Sequence, residues 1–330
     1  MSDEAEKKPK VEFVDISADE AGQRVDNFLL AKLKGVPRSK IYRIVRKGEV
    51  RVNKGRVKPE YKLQPGDRVR VPPVSVPERG PQAQAGPSLL RLLEGAVIFE
   101  NDALLVINKP SGLAVHGGSG IALGLIESLR QSRPEARFLE LIHRIDRDTS
   151  GCIMIAKKRS MLRYMQQALR EKSLREHTGG AASGGIEKVY WALVDGVWPK
   201  RKKKIDLPLK KIELPSGENM VRVDASGKPS LTHFSVLELY PCCSLIEARP
   251  ITGRTHQIRV HAQHVGHSLI GDIKYGLDSV NANMKARGFK RLFLHAAKLR
   301  FKLPDEDSVT EVVAPLPDDL KRSLASLTGS

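Results

Sequence analysis

Residues 143–151 read HRIDRDTSG and hold two carboxylates, Asp146 and Asp148, each next to an arginine in the sequence. A carboxylate that stays ionised beside a cation can act as a nucleophile or as a general base. The second half of the motif has a structural explanation, because Asp148 and the hydroxyls after it can bond to nearby backbone amides while Gly151 permits a tight turn. Asp146, which lies just before that turn, is therefore the candidate for chemistry.

Other interpretations of the two aspartates fit less well. In haloacid-dehalogenase-type phosphotransferases the aspartates follow an apolar strand, whereas here the apolar run CIMIA, residues 152–156, comes after them. A calcium-binding loop would need a glutamate at a set distance after the aspartates, and the sequence has none there. A protein kinase would need a Gly-rich loop before this motif and an Asp-Phe-Gly motif after it, and both are missing. Phosphoryl transfer through Asp146 and Asp148 stays open as an alternative, and it would require Mg²⁺.

Two further segments carry side chains that could assist a carboxylate. In KVYWALV, residues 188–194, Tyr190 lies on the opposite strand face from its neighbours, which suits a core tyrosine or a phenol that stacks on a nucleobase. In ITGRTHQIRVHAQHVGH, residues 251–267, Thr255 can cap a helix that carries Arg259 at the edge of its apolar face. Spacing alone leaves Arg259 open as a surface arginine or as a partner for a carboxylate.

The same segment contains histidines that invite a metal interpretation, namely His256, His261, His264 and His267. No cysteine or carboxylate accompanies them in this segment, and helical spacing does not bring them to one face. Packing or contact with RNA explains them better. The sequence therefore predicts no metal site and no cofactor site.

The elements around these motifs predict an α+β protein. Helix signals fall at residues 122–130 and 159–172. Strand-like runs recur more often, at residues 97–99, 104–107, 152–156, 189–194, 232–239, 244–249 and 292–299. Because strands outnumber helices and do not alternate strictly with them, the pattern favours a mixed, mostly antiparallel sheet.

Composition limits the cellular setting and the partner. A net charge of +18 over 330 residues points to a polyanion, most often nucleic acid. No apolar run reaches the ~18 residues that a membrane helix needs, and the start MSDEAEKKPKVE lacks the apolar core of a secretory signal. The cysteines Cys152, Cys242 and Cys243 form no CxxC pair and are predicted to be buried thiols. We expect a cytoplasmic protein without membrane contact and, since no feature suggests obligate oligomerisation, a monomer.

Composition also divides the chain. Residues 1–10 are polar and predicted to be disordered, residues 11–74 indicate two helices followed by a small sheet, and residues 75–94 are a linker rich in Pro, Gly, Ala and Gln. Residues 95–330 hold the chemical motifs. Within them the Gly-rich segment TGGAASGG, residues 178–185, predicts a surface loop before the strand of the tyrosine.

The amino-terminal module is strongly basic. Between Arg24 and Lys58 the sequence has twelve Lys or Arg residues and only two acids. Such one-sided charge in a compact unit favours contacts with RNA phosphates over a merely solvated helix face. Through GQRVDNFL, GEVRVN, KPEYKL and GDRV, the module resembles the S4 RNA-binding domain over nearly all of residues 17–72. The residues of its second helix that we expect to bind RNA are Arg38, Lys40, Arg43, Arg46 and Lys47.

The order KPSG, HRIDRDTSG, KVYWALV, GRTHQIRVH and LFLHA resembles the RluA family of RNA pseudouridine synthases over roughly residues 95–315. The resemblance implies a pseudouridine synthase catalytic domain, with a mixed and mostly antiparallel sheet, that follows a small α/β S4-like RNA-binding domain. It also implies that uridines of large-subunit (23S) ribosomal RNA are isomerised to pseudouridine without a metal or cofactor. The alternatives are other ribosomal or transfer RNA uridines, or a non-catalytic RNA-binding role in ribosome assembly.

The resemblance assigns roles position by position. Asp146 matches the essential aspartate of the family, Tyr190 its active-site tyrosine, and Arg259 the arginine that pairs with the aspartate. Arg144 matches the arginine that takes the space left by a flipped uridine. The carboxylate would act on sugar carbon C1′ as a nucleophile or at C2′ as a base, while the uracil is held out of its stack. The sequence departs from the family in the longer loop at residues 178–185, so RNA contacts of that loop are not implied.

Overall fold

The computed structural model describes residues 11–18, 20–33, 35–74, 83–118, 123–177, 185–214 and 218–328. The chain divides into two compact units, Met1–Ala83 and Gln84–Ser330. The predicted tail of residues 1–10 and all but the last residue of the Gly-rich loop lie outside the described residues. In the described part, no helix is both long enough and apolar enough to cross a membrane.

In its described residues, the first unit packs two helices against a four-stranded antiparallel sheet. The helices are α1 (Val25–Lys32) and α2 (Arg38–Arg46), and the strands are β1 (Glu12–Asp15), β2 (Arg51–Val52), β3 (Gly55–Arg56) and β4 (Arg68–Val71). The strand order is β1-β4-β2-β3. Leu29 and Ile41 of the helices share one buried core with Val52 and Val69 of the sheet. The structure therefore has the predicted helices and small sheet, and it adds β1 at the start, which the sequence pattern did not indicate.

The second unit is built on a mixed sheet, which has ten strands within the described residues. These strands are β5 (Val97–Glu100), β6 (Leu104–Lys109), β7 (Glu140–Leu141), β8 (Ser150–Ala156), β9 (Glu187–Asp195), β10 (Lys204–Asp206), β13 (Leu231–Leu239), β14 (Cys243–Pro250), β15 (Leu294–Lys302) and β16 (Val309–Val313). A separate hairpin is formed by β11 (Leu209–Glu213) and β12 (Asn219–Val223). The main order is β10-β13-β14-β9-β15-β8-β6-β5, with β16 beside β15 and β7 beside β8.

Pairing in this sheet is antiparallel throughout the described residues except between β15 and β8. The helices of the unit are α3 (Pro87–Gly95), α4 (Leu125–Ser132), α5 (Arg159–His177), α6 (Gln257–His264), α7 (Asp278–Ala286) and α8 (Asp318–Thr328). Strand β8 is buried along its whole length, as its apolar run requires. The predicted α+β class with a mixed, mostly antiparallel sheet is confirmed.

Two local predictions need correction. Residues 87–94 fall in the predicted linker, yet they belong to helix α3, in which Leu93 is fully buried in the core of the second unit. Pro87 occupies the first helical position, where the fixed φ of proline suits the helix and its missing N–H costs nothing, so proline starts this helix instead of breaking it. Cys152 and Cys243 are buried as predicted, but Cys242 is only half-buried.

Candidate active site

The loop that carries Asp146 is fastened by the KPSG turn. Lys109 is fully buried, and its ammonium donates three hydrogen bonds of 2.8 Å to backbone carbonyl oxygens, one of them that of Arg147. The hydroxyl of Ser111 donates to the carbonyl oxygen of Asp148 at 2.7 Å. The backbone directly after Asp146 is thereby held at two consecutive residues, which fixes the position of the carboxylate.

The end of the same motif is locked into the sheet. Gly151 has a φ of +105°, and a Cβ there would lie 2.3 Å from the carbonyl oxygen of Ala296, so only glycine fits. Ser150 Oγ lies 2.9 Å from His295 Nδ1, and His295 Nε2 lies 3.1 Å from the carbonyl oxygen of Ala314. Since that carbonyl can only accept, His295 carries its proton on Nε2 and accepts the hydroxyl of Ser150 at Nδ1. These hydrogen bonds thus join the TSG turn to the strand that carries the LFLHA motif.

Arg259 joins two aspartates. Its Nη1 donates to Asp146 Oδ2 at 3.2 Å, while Nε and Nη2 donate to the two carboxylate oxygens of Asp272 at 2.7 and 2.8 Å. Burial alone would raise the pKa of Asp272, but the hydrogen bonds and charge of Arg259 outweigh it and the pKa is lowered. Arg259 is 6 % exposed, so the surface-arginine alternative is wrong and this side chain is the buried partner of a carboxylate.

The helix of Arg259 begins later than predicted. Helix α6 starts at Gln257, after His256 in the left-handed conformation with a φ of +53°. The side-chain oxygen of Gln257 accepts the backbone N–H of Arg254 at 3.0 Å, which closes the preceding turn before any helix begins. Thr255 therefore does not cap the helix, and its hydroxyl instead accepts a hydrogen bond of 3.4 Å from Arg144.

His256 and Tyr275 complete the surroundings of Asp146. The backbone N–H of Val221 donates to the Tyr275 hydroxyl oxygen at 3.0 Å, and His256 Nδ1 lies 2.7 Å from the same oxygen. The other ring nitrogen of His256, Nε2, lies 4.0 Å from Asp146 Oδ2. Burial lowers the pKa of His256 and so favours the neutral imidazole. The Tyr275 ring also lies 5.0 Å from the guanidinium carbon of Arg259.

One pocket contains the three predicted catalytic residues, Asp146, Tyr190 and Arg259. Tyr190 lies on β9 and is 8 % exposed, so it is both a buried tyrosine and a pocket wall. Burial raises the pKa of its phenol, which keeps the hydroxyl protonated at neutral pH. In the part of the chain that the structure describes, Asp146 Oδ1 makes no hydrogen bond and is available to a substrate.

Lys188 also lines this pocket, although the sequence analysis gave it no role. It lies two residues before Tyr190 on β9 and therefore on the same face. Burial, and after it the charge of Lys172, lowers the pKa of Lys188 to about 8. Within the described ranges no hydrogen bond or ion pair reaches its ammonium, and the buried hydroxyl of Thr149 in the same pocket is also without a partner. The ammonium of Lys188 is therefore available to an oxygen atom of a substrate.

The remaining predicted residues lie at the surface. Arg144 is exposed at the edge of the same pocket. In the first unit, Ile41 and Ile44 of α2 are buried, which directs the cations of this helix away from the core. Of the two nearby acids, Asp26 is buried and paired with Arg24 at 2.7 Å, so it does not offset the charge of α2. The predicted RNA-binding cations of α2 are all exposed or half-buried: Arg38, Lys40, Arg43, Arg46 and Lys47.

The histidines of residues 251–267 have separate partners. His261 lies between the Thr232 hydroxyl and a backbone carbonyl, and His267 Nδ1 lies 2.7 Å from a carbonyl oxygen. Among the described residues, no group of three or more His, Cys, Asp or Glu side chains is placed to hold a metal ion. The carboxylate of Asp148 lies 3.1 Å from Arg147 and does not line the pocket of Asp146, so the paired arrangement needed for the phosphoryl-transfer alternative does not form.

Known protein families match both units. The family described as RNA pseudouridylate synthase matches residues 103–264, a range that includes Asp146, Tyr190 and Arg259. The S4 domain family matches residues 23–69. The resemblances that the sequence motifs indicated are confirmed for both parts of the chain.

Three bacterial relatives carry the name ribosomal large subunit pseudouridine synthase C. The relative from Yersinia pestis is 54 % identical, over 97 % of this chain and 96 % of its own length. The relative from Pasteurella multocida is 53 % identical, over 96 % and 94 % of the two chains. The relative from Escherichia coli (strain K12) is 52 % identical, over 97 % of each chain.

Two solved human structures share the fold. Human RNA pseudouridylate synthase domain containing 4 has a TM-score of 0.57 at 25 % identity and covers 73 % of this chain and 96 % of its own. Human RNA pseudouridylate synthase domain containing 1 has a TM-score of 0.52 at 27 % identity and covers 67 % of this chain and 83 % of its own. With its motifs gathered in one pocket and more than half of its residues shared with full-length relatives, this chain belongs to the family of RNA pseudouridine synthases.

Proposed function

We propose that this enzyme isomerises specific uridines of large-subunit (23S) ribosomal RNA to pseudouridine, with Asp146 as the essential carboxylate. The observation that carries the proposal is the setting of Asp146, where Arg259 holds Oδ2 at 3.2 Å and Oδ1 is left without a hydrogen bond in the described residues. The names of the bacterial relatives, which specify the large ribosomal subunit, support the substrate.

The isomerisation breaks two bonds and forms two others, and it needs no net addition of atoms. The bond from N1 of uracil to C1′ breaks, the uracil turns, and C5 bonds to C1′ while the C5 proton leaves and N1 ends protonated. Asp146 starts the reaction either as a nucleophile at C1′ or as a base at C2′. Because Asp272 holds Arg259 through two hydrogen bonds, Arg259 presents its third donor to Asp146 in one fixed direction.

The other pocket residues suit the handling of a flipped base. Taking a uridine out of its stack costs a few kcal/mol, and an aromatic wall returns part of that cost. Tyr190 provides this wall, and the exposed Arg144 is placed to enter the space that the base leaves. Lys188 offers a donor to an oxygen atom of the uracil or ribose.

The remaining assignments follow from the division of the chain. Residues 11–74 hold RNA phosphates through the cations of α2, and residues 95–330 carry out the reaction. We infer a monomer, because no feature of the sequence suggests obligate oligomerisation. Bacterial large ribosomal subunits are assembled in the cytoplasm, which supports a cytoplasmic location for an enzyme that modifies their RNA.

Mapping of pseudouridine in ribosomal RNA tests the proposal. A bacterial strain without this gene should lack pseudouridine at particular large-subunit positions, and the wild-type gene should restore them. Asp146→Asn should restore none, whereas the control Asp148→Asn should restore them, because Asp148 pairs with Arg147 outside the pocket. Restoration by Asp146→Asn would refute the assignment of the carboxylate, and missing sites only in other RNAs would refute the substrate.

A further inference from the structure

The outer face of the small sheet in the first unit carries a row of cations that ends in an aromatic ring. In the register of the strands, Phe13 of β1 lies opposite Arg70 of β4, Arg70 lies opposite Arg51 of β2, and Arg51 lies opposite Arg56 of β3. Val69, the neighbour of Arg70, points into the core. Since side chains alternate along a strand, the four residues of the row share the face away from the core.

The arginines of this row destabilise the sheet. Like charges directly opposite each other destabilise a sheet, and three arginines are here in adjacent positions on neighbouring strands. Backbone carbonyls hold the guanidinium groups of two of them: Arg70 Nη1 donates to the Glu49 carbonyl at 2.6 Å, and Arg51 Nε donates to the Gly48 carbonyl at 3.3 Å. These bonds fix the direction of the groups without neutralising their charge. The arrangement is therefore prepared for an external anion.

A groove of about 1010 Å³ lies on this face. Phe13 is 55 % exposed, and the guanidinium carbon of Arg68 lies 5.3 Å from the centre of its ring. The described residues that line the groove include no acid, and Asp15 reaches the charge of Arg68 only at 3.7 Å between two exposed side chains. The lining consists mainly of Phe13 and the cations Arg51, Lys54, Arg68 and Arg70.

We propose that this face binds an unpaired segment of RNA, with one base stacked on Phe13 and the neighbouring phosphates held by Arg51 and Arg70. An exposed ring among fixed cations suits a single strand, whose bases are free to stack, whereas the bases of a duplex are already covered. The surface is separate from α2, because α2 packs on the inner face of the same sheet. That the RNA is ribosomal rests on the proposed function, but binding of unpaired RNA does not.

Binding measurements on the full chain test the proposal. Affinity for a ten-nucleotide RNA single strand and for an RNA duplex of equal length is measured by fluorescence anisotropy at several salt concentrations. Phe13→Leu removes the ring and should weaken single-strand binding at least about fivefold while leaving duplex binding unchanged. Phe13→Tyr keeps a ring and should bind as the wild type does. Val11→Ala, at another exposed apolar residue just before β1, is the control and should also bind normally.

The arginines give a second readout. Arg51→Gln combined with Arg70→Gln should lower the salt slope of single-strand binding by about 1.4, the value for two lost phosphate contacts at ~0.7 each. Thermal unfolding of each variant checks that the first unit is folded. If the arginine variant is not folded, the binding result for Phe13→Leu alone decides the test. Wild-type affinity of Phe13→Leu for the single strand, or an equal loss for the duplex, would overturn the proposal. These assays measure no reaction, so their failure leaves the proposed isomerisation intact.

Discussion

Asp272 decides how Arg259 presents its charge to Asp146. In Asp272→Asn, one carboxylate oxygen becomes an NH₂ group that cannot accept from the guanidinium, so one arm of the clamp is lost. A small displacement of a positioned group costs about 100-fold in rate, and we expect the rate of pseudouridine formation at saturating RNA to fall by about this factor.

The measurement that checks this is a single-turnover time course, with RNA affinity determined separately. Affinity should change little, because Asp272 is buried and touches Arg259 instead of RNA. Asp319→Asn is the matched control, since Asp319 makes the same kind of two-point contact with Arg291 at an exposed position. A wild-type rate for Asp272→Asn would show that the clamp does not position the site.

We expect the buried charge of Lys188 to lower the free energy of unfolding of the protein. Its pKa is about 8 in the fold, against 10.5 for an ordinary lysine, so the unfolded chain binds the proton more tightly between these values. The stability of the wild type therefore rises with pH from about 8 to 10.5, and below pH 8 the full cost of about 3 kcal/mol is present. Lys188→Met should be more stable than the wild type at pH 7 by up to about 3 kcal/mol.

Urea unfolding at pH 7 and pH 10.5 measures this difference, which should nearly disappear at the higher pH. The exposed Lys202→Met is the control and should show no gain at either pH. We also expect Lys188→Met to lose activity, because its ammonium is available to the substrate. A variant less stable than the wild type at pH 7 would mean that the charge of Lys188 has a stabilising partner.

At the scale of elements, the contact between β8 and β15 depends on a glycine. Gly151→Ala would place a Cβ 2.3 Å from the Ala296 carbonyl oxygen at a φ of +105°, so we expect a loss of about 3 kcal/mol in the free energy of unfolding. Gly112→Ala is the matched control, because Gly112 also has a positive φ of +84° but nothing within 4 Å, and it should lose only about 1 kcal/mol. Urea unfolding compares the two, and equal losses would contradict the steric argument.

Local patterns in the sequence predicted the elements whose burial is one-sided or complete. The apolar run of residues 152–156 predicted β8, and the alternation around Tyr190 predicted β9. Helix α3 was missed because composition rich in Pro and Gly hides a helix that starts at Pro87. The start of α6 was misplaced because the side chain of Gln257, not that of Thr255, closes the turn before it.

Sequence patterns also predicted only part of the site. Asp146, Tyr190 and Arg259 stand in motifs that can be recognised in one dimension, and the fold brings them into one pocket. Asp272 was not predicted, because its role depends on a hydrogen-bonded pairing with Arg259 that no periodicity in the sequence signals. Lys188 is recognisable in the sequence as a lysine, but its burial and its lack of an ion-pair partner among the described residues depend on the fold.

At the scale of the whole molecule, the charge of +18 should govern how RNA binding responds to salt. We expect affinity to fall steeply as salt rises, with an approximately linear relation between the logarithms of the two. Neutralising three exposed cations of α2, in a variant with Arg43→Gln, Arg46→Gln and Lys47→Gln, should lower the slope by about 2 if each one contacts a phosphate. Filter binding over a salt series measures the slope. A flat dependence in the wild type would contradict phosphate contact as the source of affinity.

The measurement that tests the central claim most directly is single-turnover pseudouridine formation on a large-subunit ribosomal RNA transcript by the purified chain. Asp146→Asn keeps the size of the side chain and one acceptor oxygen but removes the charge that both versions of the mechanism require. We predict that this variant binds the transcript as tightly as the wild type and forms no pseudouridine. Pseudouridine formed by Asp146→Asn at the wild-type rate would contradict the account.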